Sequence, residues 1–465
     1  MPNIPFSRME VTDEPLVANS GLAVIGQLMR RAGIEQVRSS RNFSNYKIRD
    51  TDILKAQCGL LSVGKVGFDH IRFFEKSQFF CEALGIRRMP KEAALRQRIE
   101  SMSLDRRVHD DISACSVRLL GKTGVLPELT VVSGLSWVRV DTDSSIFDNS
   151  QSKKEGVERG YNGIFGYAPI CSFLEGGLML GAQLCPGSHN PLHEGHESYF
   201  AAVGQRVREL FPANAVLWVA DAAFDDSAHM SARQAAGDSF IIKRNPRRES
   251  EDFLISLAKE QGRVSSPRVG KTVFTGESIR SHGVLSSARL VYEITERTSK
   301  ANGQLFLLPE YTVFSVWTNL PEAVGVDAVL ELYRARGTCE QYFAEIKSEL
   351  DLERLPSGKF SVNELFFQLG MFVNNMLRVI GRGIVRGEAG SLRPATRRRL
   401  RTVMQNLMYL CCRVVKHARR VVLKVKSNNG FVPGFLFVQH PSIAGCLSFR
   451  QYQIILSVLL MQFDA

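Results

Sequence analysis

Two apolar runs in this sequence end on carboxylates. LTVVSGLSWVRVDTDSSIFD reaches Asp141 and Asp143 where its apolar character gives out, and AVLWVADAAFDD does the same at Asp221. An ionised aspartate at a buried strand end costs several kcal/mol unless it is paired or bound to metal, so these positions need a reason. For either alone, the ordinary reason is a helix cap. A third acidic residue, Glu340, lies in LYRARGTCEQYFAEIKSEL, whose pattern predicts one helix. At 100° per residue, Tyr333, Arg336, Glu340 and Lys347 fall within an arc of roughly 60° on that helix. A solvated face with helix-type ion pairs would give such a stripe. Two strand-end aspartates and a helical glutamate also allow three carboxylates to converge on Mg2+, a hard ion that takes oxygen ligands. A pair of such ions about 3.5–4 Å apart activates a nucleophile and stabilises a leaving oxygen at phosphorus. Histidine or cysteine ligands would favour softer metals.

The elements that must position these residues follow from periodicity. GLAVIGQLMRRAGI, ILKAQCGLLSVGKVGFDHIRFF and KEAALRQRIESM have helical spacing, predicting a helical region over residues 1–125. From about residue 126 the period changes to strand. A run through LTVVSGLSWVRV is followed by YNGIFGYAPI and GGLMLGAQLCPGS as a hairpin or meander, then by the helix SYFAAVGQRVRELF and the strand AVLWVA. This αβ alternation predicts a layered sheet domain over 126–237. FIIKRN, KTVFTGES, ARLVYEITERT and GQLFLLPEYTVFSVWTNL, separated by turns, predict a β-rich insertion over 238–325. Helices resume over 326–385, and 386–465 reads as a basic helical region.

Composition narrows the function classes. The chain has 465 residues and a formal charge of +12. Its basic residues are not gathered on one amphipathic helix, so nucleic acid is the natural acidic partner and membrane is not. The polar, proline-broken start MPNIPFSRMEVTDEP is unlike a signal peptide, which predicts a cytosolic protein. Nine cysteines without a CxxC pair predict free thiols. RVGKTVF lacks the glycine a phosphate loop needs five residues before Gly270, and neither GxSxG nor GxGxxG occurs. His189, His193 and His196 in SHNPLHEGHES have near-ligand spacing, but without a cysteine or a helical HExxH frame they read as a loop at a helix start.

Tyr333, Arg336, Glu340 and Lys347 reproduce the Y-x2-R-x3-E-x6-K signature of DDE transposases of bacterial insertion sequences. The flanks VWTNLP and DLERLPSGKFSVNELFFQLGMFVNN resemble the insertion-sequence-4-like superfamily, nearest to the insertion sequence 1380 group. So do VRVDTDSS, VADAAF and FIIKRN, and the resemblance runs from Val131 to about Lys426.

This resemblance implies an α/β fold: an RNase H-like core, a mixed sheet flanked by helices, interrupted by a β-rich insertion between the second aspartate and the glutamate. It implies catalysis and metal binding by Asp143, Asp221 and Glu340 with two Mg2+ ions, for which Mn2+ substitutes. Asp141 stands as the alternative or supporting first carboxylate; Asp143 is favoured by the small and hydroxyl residues Ser144 and Ser145 that follow it. Tyr333, Arg336 and Lys347 would contact DNA phosphates near the cut end. The implied protein binds inverted repeats at the ends of its element, cuts and joins double-stranded DNA, and acts as a homodimer on paired ends in the bacterial cytosol, at the nucleoid. Ala222 and Ala223 replace the usual serine and glycine after the second aspartate. That leaves two alternatives open: a weakened or silent DNA-binding relic, and a nuclease that does not join strands.

Overall fold

The computed structural model describes residues 14–39, 48–192, 195–247, 250–387, 397–417 and 420–425. Ten strands form its main sheet: β1 Thr130–Val132, β2 Leu135–Ser144, β3 Ile170–Leu174, β4 Leu178–Gln183, β5 Ala215–Ala220, β6 Ser239–Lys243, β7 Arg263–Arg268, β8 Lys271–His282, β9 Leu285–Ser299 and β10 Leu305–Thr318. Their order is β7-β8-β9-β10-β6-β5-β2-β3-β4, with β1 paired to β2. β2, β5 and β6 run parallel, while β3, β4 and the four strands from β7 to β10 pair antiparallel. The expected mixed sheet is therefore present, and β7–β10 continue it as a long ribbon.

Two details of the insertion differ from the pattern reading. FIIK is β6, a parallel neighbour of β5 inside the sheet, because its consecutive buried apolar residues suit a strand covered on both faces. A helix, Asp252–Gln261, interrupts the β-rich stretch; it buries Leu254 and Ala258 at i, i+4 spacing.

Among the described residues, five α-helices precede the sheet: α1 Leu22–Ala32, α2 Asp50–Ser62, α3 Gln78–Leu84, α4 Glu92–Ser103 and α5 Arg106–Thr123. Later helices are α6 His196–Leu210, α7 Ser227–Ala235, α8 Asp252–Gln261, α9 Val326–Arg334, α10 Thr338–Ser348 and α11 Phe360–Gly387. α11 packs on α2, α4, α5 and β4, so the helical N-terminal region shares one hydrophobic core with the sheet. Asn375 fixes the end of this contact: its side-chain amide accepts from Met179 N and donates to Met179 O, both at 2.7 Å. That satisfies backbone groups of a sheet edge that would otherwise be buried without partners.

The basic C-terminal region is not wholly helical. After a short helix at Leu400–Val403, residues Cys412–His417 and Arg420–Lys424 form an antiparallel pair that extends to Leu16–Val17. CRVVKH and RVVLK each hold paired valines, whose branched side chains favour extended backbone over helix. Residues 388–396 and 426–465 of this region lie outside the described residues. The eight described cysteines are free, and no described helix is long and apolar enough to cross a membrane.

Candidate active site

Strand alternation decides which carboxylates meet. On β2, Val138 and Val140 point into the core shared with α11, while Trp137 packs on the opposite face with Leu217 and Val219 of β5 and with α9. Arg139, Asp141 and Asp143 share the Trp137 face, since side chains alternate along a strand. β2 and β5 pair in parallel with Asp141 opposite Val219 and Thr142 opposite Ala220. One residue further along both strands, Asp143 comes level with Asp221.

Asp221 caps the one-turn helix Ala222–Phe224 by accepting from Ala223 N at 3.1 Å. Both the cap and the carboxylate reading therefore describe the same side chain. Any residue but proline supplies that N–H, so Ala222 and Ala223 leave the geometry of Asp221 intact.

The segment expected as one helix is jointed. α9 ends at Arg334, a single 3-10 turn spans Ala335–Gly337, and α10 begins at Thr338. Gly337 at the joint is a poor helix former, and the tighter turn re-aims the chain. Tyr333, the last residue but one of α9, is buried against Phe314, with ring centroids 5.2 Å apart. Glu340 lies in the first turn of α10 and is exposed. α10 packs Tyr342 and Phe343 on Phe173 of β3, which pairs with Asp141. This seats α10 on the same sheet face as the aspartates.

Arg336, on the joint, ion-pairs with Asp143 at 2.7 Å. Burial pushes the Asp143 carboxyl up to about 6; Arg336 opposes the shift, while the negative charges of Asp221 and Glu340 add to it. Asp143 thus feels the charge of both other acidic candidates, but among the described residues the ligating atoms that lie within 4.8 Å of one another are those of His196, Glu197 and His229, not those of Asp143, Asp221 and Glu340. Asp141 is different. Arg139 donates to it from Nε at 3.0 Å and from Nη2 at 2.8 Å, and burial is the main force raising its pKa. The Tyr333 hydroxyl is raised to about 12 chiefly by burial, with Arg336 lowering it and Asp221 and Asp143 raising it. Among the described residues, Nε of Arg336 is buried without a hydrogen-bond partner.

Lys347 sits apart from this cluster, at the far end of α10. Its ammonium donates to Ile146 O at 2.6 Å and lies 5.3 Å from the Phe147 ring centre, holding the loop that follows β2. Burial lowers its pKa.

Of the histidine trio, His193 lies outside the described residues. His196 is joined instead by Glu197 and by His229 of α7, a residue whose sequence surroundings, SAHMSARQ, carry no metal-site spacing.

A family model described as "Transposase DDE domain group 1" matches residues 8–433. No curated protein matches the sequence. Among solved structures, a similar one is described as "Cryo-EM structure of piggyBac transposase synaptic complex with hairpin DNA"; identity is 10%, the TM-score is 0.41, and the match covers 84% of this chain and 80% of that one.

Proposed function

This chain belongs to the DDE transposases, enzymes that act on DNA, and from that premise we propose that it binds the terminal inverted repeats of a mobile element and cuts and joins DNA strands there. The reading extends to an RNase H-like core and to the insertion-sequence-4-like superfamily, within or near the insertion sequence 1380 group. It also includes a homodimer on paired ends, working in the bacterial cytosol.

What supports the catalytic assignment is placement: the strand register brings Asp143 level with Asp221 on parallel strands, and Glu340 stands in the first turn of the helix packed over that face, although the ligating atoms of the three are not drawn within 4.8 Å of one another in the metal-free protein. Such a site favours a hard divalent cation. Its donors are carboxylate oxygens, and in the metal-free protein the Arg336 guanidinium takes the cation's place at Asp143. Asp143, Asp221 and Glu340 would hold two Mg2+ ions, or Mn2+ in their place. When bound, the ions would make water or a 3′-hydroxyl a stronger nucleophile and offset charge on the leaving oxygen.

The remaining residues act on the DNA. Arg336 has a buried Nε without a partner, a donor suited to a phosphate oxygen, and the Tyr333 hydroxyl beside it offers one more. Lys347, at the far end of α10 against the loop after β2, contributes its charge further along the DNA backbone. Asp141, neutralised by Arg139, supports the strand that carries Asp143.

The direct test is cleavage of DNA carrying the element's ends, with purified protein and Mg2+. Glu340→Gln, Asp143→Asn and Asp221→Asn are each expected to abolish nicking while retaining end binding. Wild-type-level nicking by Glu340→Gln would overturn the assignment. A joining assay that yields hydrolysed ends alone would favour the nuclease reading, and binding without any nicking by the parent would favour a silent relic.

A further inference from the structure

We propose that His196, Glu197 and His229 form a second cation site, for a transition metal of the zinc class, on the sheet face opposite the carboxylate site. One ligating atom from each residue lies within 4.8 Å of the other two. Nε2 of His196 is 3.0 Å from Oε1 of Glu197, and Nδ1 of His229 is 2.9 Å from the same oxygen. Ligand atoms around a tetrahedral zinc with bonds of about 2.0–2.1 Å stand about 3.3 Å apart, so small side-chain shifts complete the triad. Two imidazoles and one carboxylate leave a fourth position for water. Glu197, with 43% of its side chain exposed, opens that position to solvent.

The chemistry separates this site from the first. Nitrogen donors suit zinc-class ions, whereas three carboxylates suit Mg2+. His229 is buried, and its Nδ1 is turned toward Oε1 of Glu197, where an ion would sit. Its protons and those of His196 need not be lost, because each neutral ring can carry its hydrogen on the nitrogen facing away from the ion.

The surroundings fix the ligands. Arg233 ion-pairs with the second oxygen of Glu197, which orients the carboxylate and leaves Oε1 to the histidines. The Arg233 guanidinium is itself held over the Phe200 and Trp218 rings, 5.2 and 5.7 Å from their centres. Phe200 packs on the His229 ring at 4.4 Å, giving the site an apolar wall. The positive charge of Arg233 also makes affinity weaker than in a cysteine-rich structural site.

The site joins two elements that are 33 positions apart in sequence, since His196 opens α6 and His229 lies on α7. α7 begins six residues after Asp221. An ion here clamps the segment leaving the proposed catalytic strand against the helix that covers the back of the sheet.

The experiment is calorimetric titration of metal-free, full-length protein with Zn2+ in excess Mg2+, which occupies the carboxylate site. We expect one Zn2+ per chain, a higher melting temperature on its addition, and affinity lowered by about 100-fold or more in His229→Gln and Glu197→Gln. Asp143→Asn should keep Zn2+ binding. If His229→Gln fails to fold by circular dichroism, His196→Gln, at the more open rim, carries the decision. Absence of stoichiometric Zn2+ binding, or binding unchanged in folded Glu197→Gln and His196→Gln, would overturn the proposal.

Discussion

Arg336 and Asp143 form a 2.7 Å ion pair between the α9–α10 joint and the sheet. The arginine expected to reach outward to a phosphate is turned inward onto the carboxylate expected to hold metal. The negative charges of Asp221 and Glu340 raise the buried Asp143 carboxyl further, and the guanidinium offsets part of that effect.

Arg336 should therefore compete with the divalent cation when DNA is absent. Arg336→Gln is expected to tighten Mn2+ binding by roughly tenfold at about pH 8, and yet to lose end cleavage. Weaker Mn2+ binding in the variant, measured by titration, would mean that the arginine helps to build the metal site.

Asp141 and Asp143 should respond to neutralisation with opposite signs in stability. Asp141→Asn strands the largely buried Arg139 without its carboxylate and should destabilise the protein by about 3 kcal/mol. Asp143→Asn relieves like-charge crowding and leaves the Arg336 guanidinium the charge of Asp221, so without metal its melting temperature should not fall, although cleavage is lost. Denaturation of the two variants distinguishes them, and a reversed order would move the first catalytic position to Asp141.

The Asp143 carboxyl, raised to about 6, links the site to pH. A folded-state pKa above the unfolded value contributes stability that is present below about 3.8 and lost as pH rises through about 6. In neutral solution the metal-free protein carries that cost, and a bound cation removes it. The rise in melting temperature caused by Mg2+ should be largest above about pH 7 and shrink as protons displace the ion through about pH 6. An equal Mg2+ effect on both sides of that value would contradict the coupling.

Glu345, fully buried on α10, ion-pairs with Arg378 of α11 at 3.1 Å and with Arg397, and accepts from Leu400 N at 2.9 Å. Burial raises its pKa, but Arg378, Arg397 and the Leu400 N–H outweigh that effect and leave it lowered. Its contribution is therefore present above about 4.5 and lost as pH falls through the folded value. Glu345→Gln should cost about 3–5 kcal/mol at neutral pH, a gap that narrows in acid. Because α10 also carries Glu340, cleavage should fall with stability. Full activity in a destabilised variant would show that α10 is held by its other contacts.

The sheet was legible because β2 and β5 are apolar runs that end on polar residues, and the helical N-terminal region because its apolar spacing is regular. Alternation puts Asp141 and Asp143 on one face and so does not separate them; the register with β5, which brings Asp143 level with Asp221, is a feature of pairing between distant strands that local spacing does not carry. The joint at Ala335–Gly337 escaped notice because a 100° wheel presumes an unbroken helix. Tyr333 consequently faces Phe314 rather than solvent. Cys412–Lys424 looked helical because basic residues interleave with apolar ones, a pattern that short strands also satisfy. His229 had no local signal, since its partners are supplied by α6.

β9 and β10, 15 and 14 residues long, are antiparallel partners with register running from Arg289 opposite Thr318 out to Arg297 opposite Glu310. At about 3.3 Å per residue each spans close to 50 Å, and β10 is bonded to β6, which is bonded in turn to β5. The exposed Leu305, Leu307 and Leu308 stand at the outer end of this ribbon. No flexible linker interrupts the path from that tip to the strand that leads into Asp221. The ribbon is thus a stiff oar: a body that grips its blade exerts torque on the strand beside the proposed catalytic aspartate.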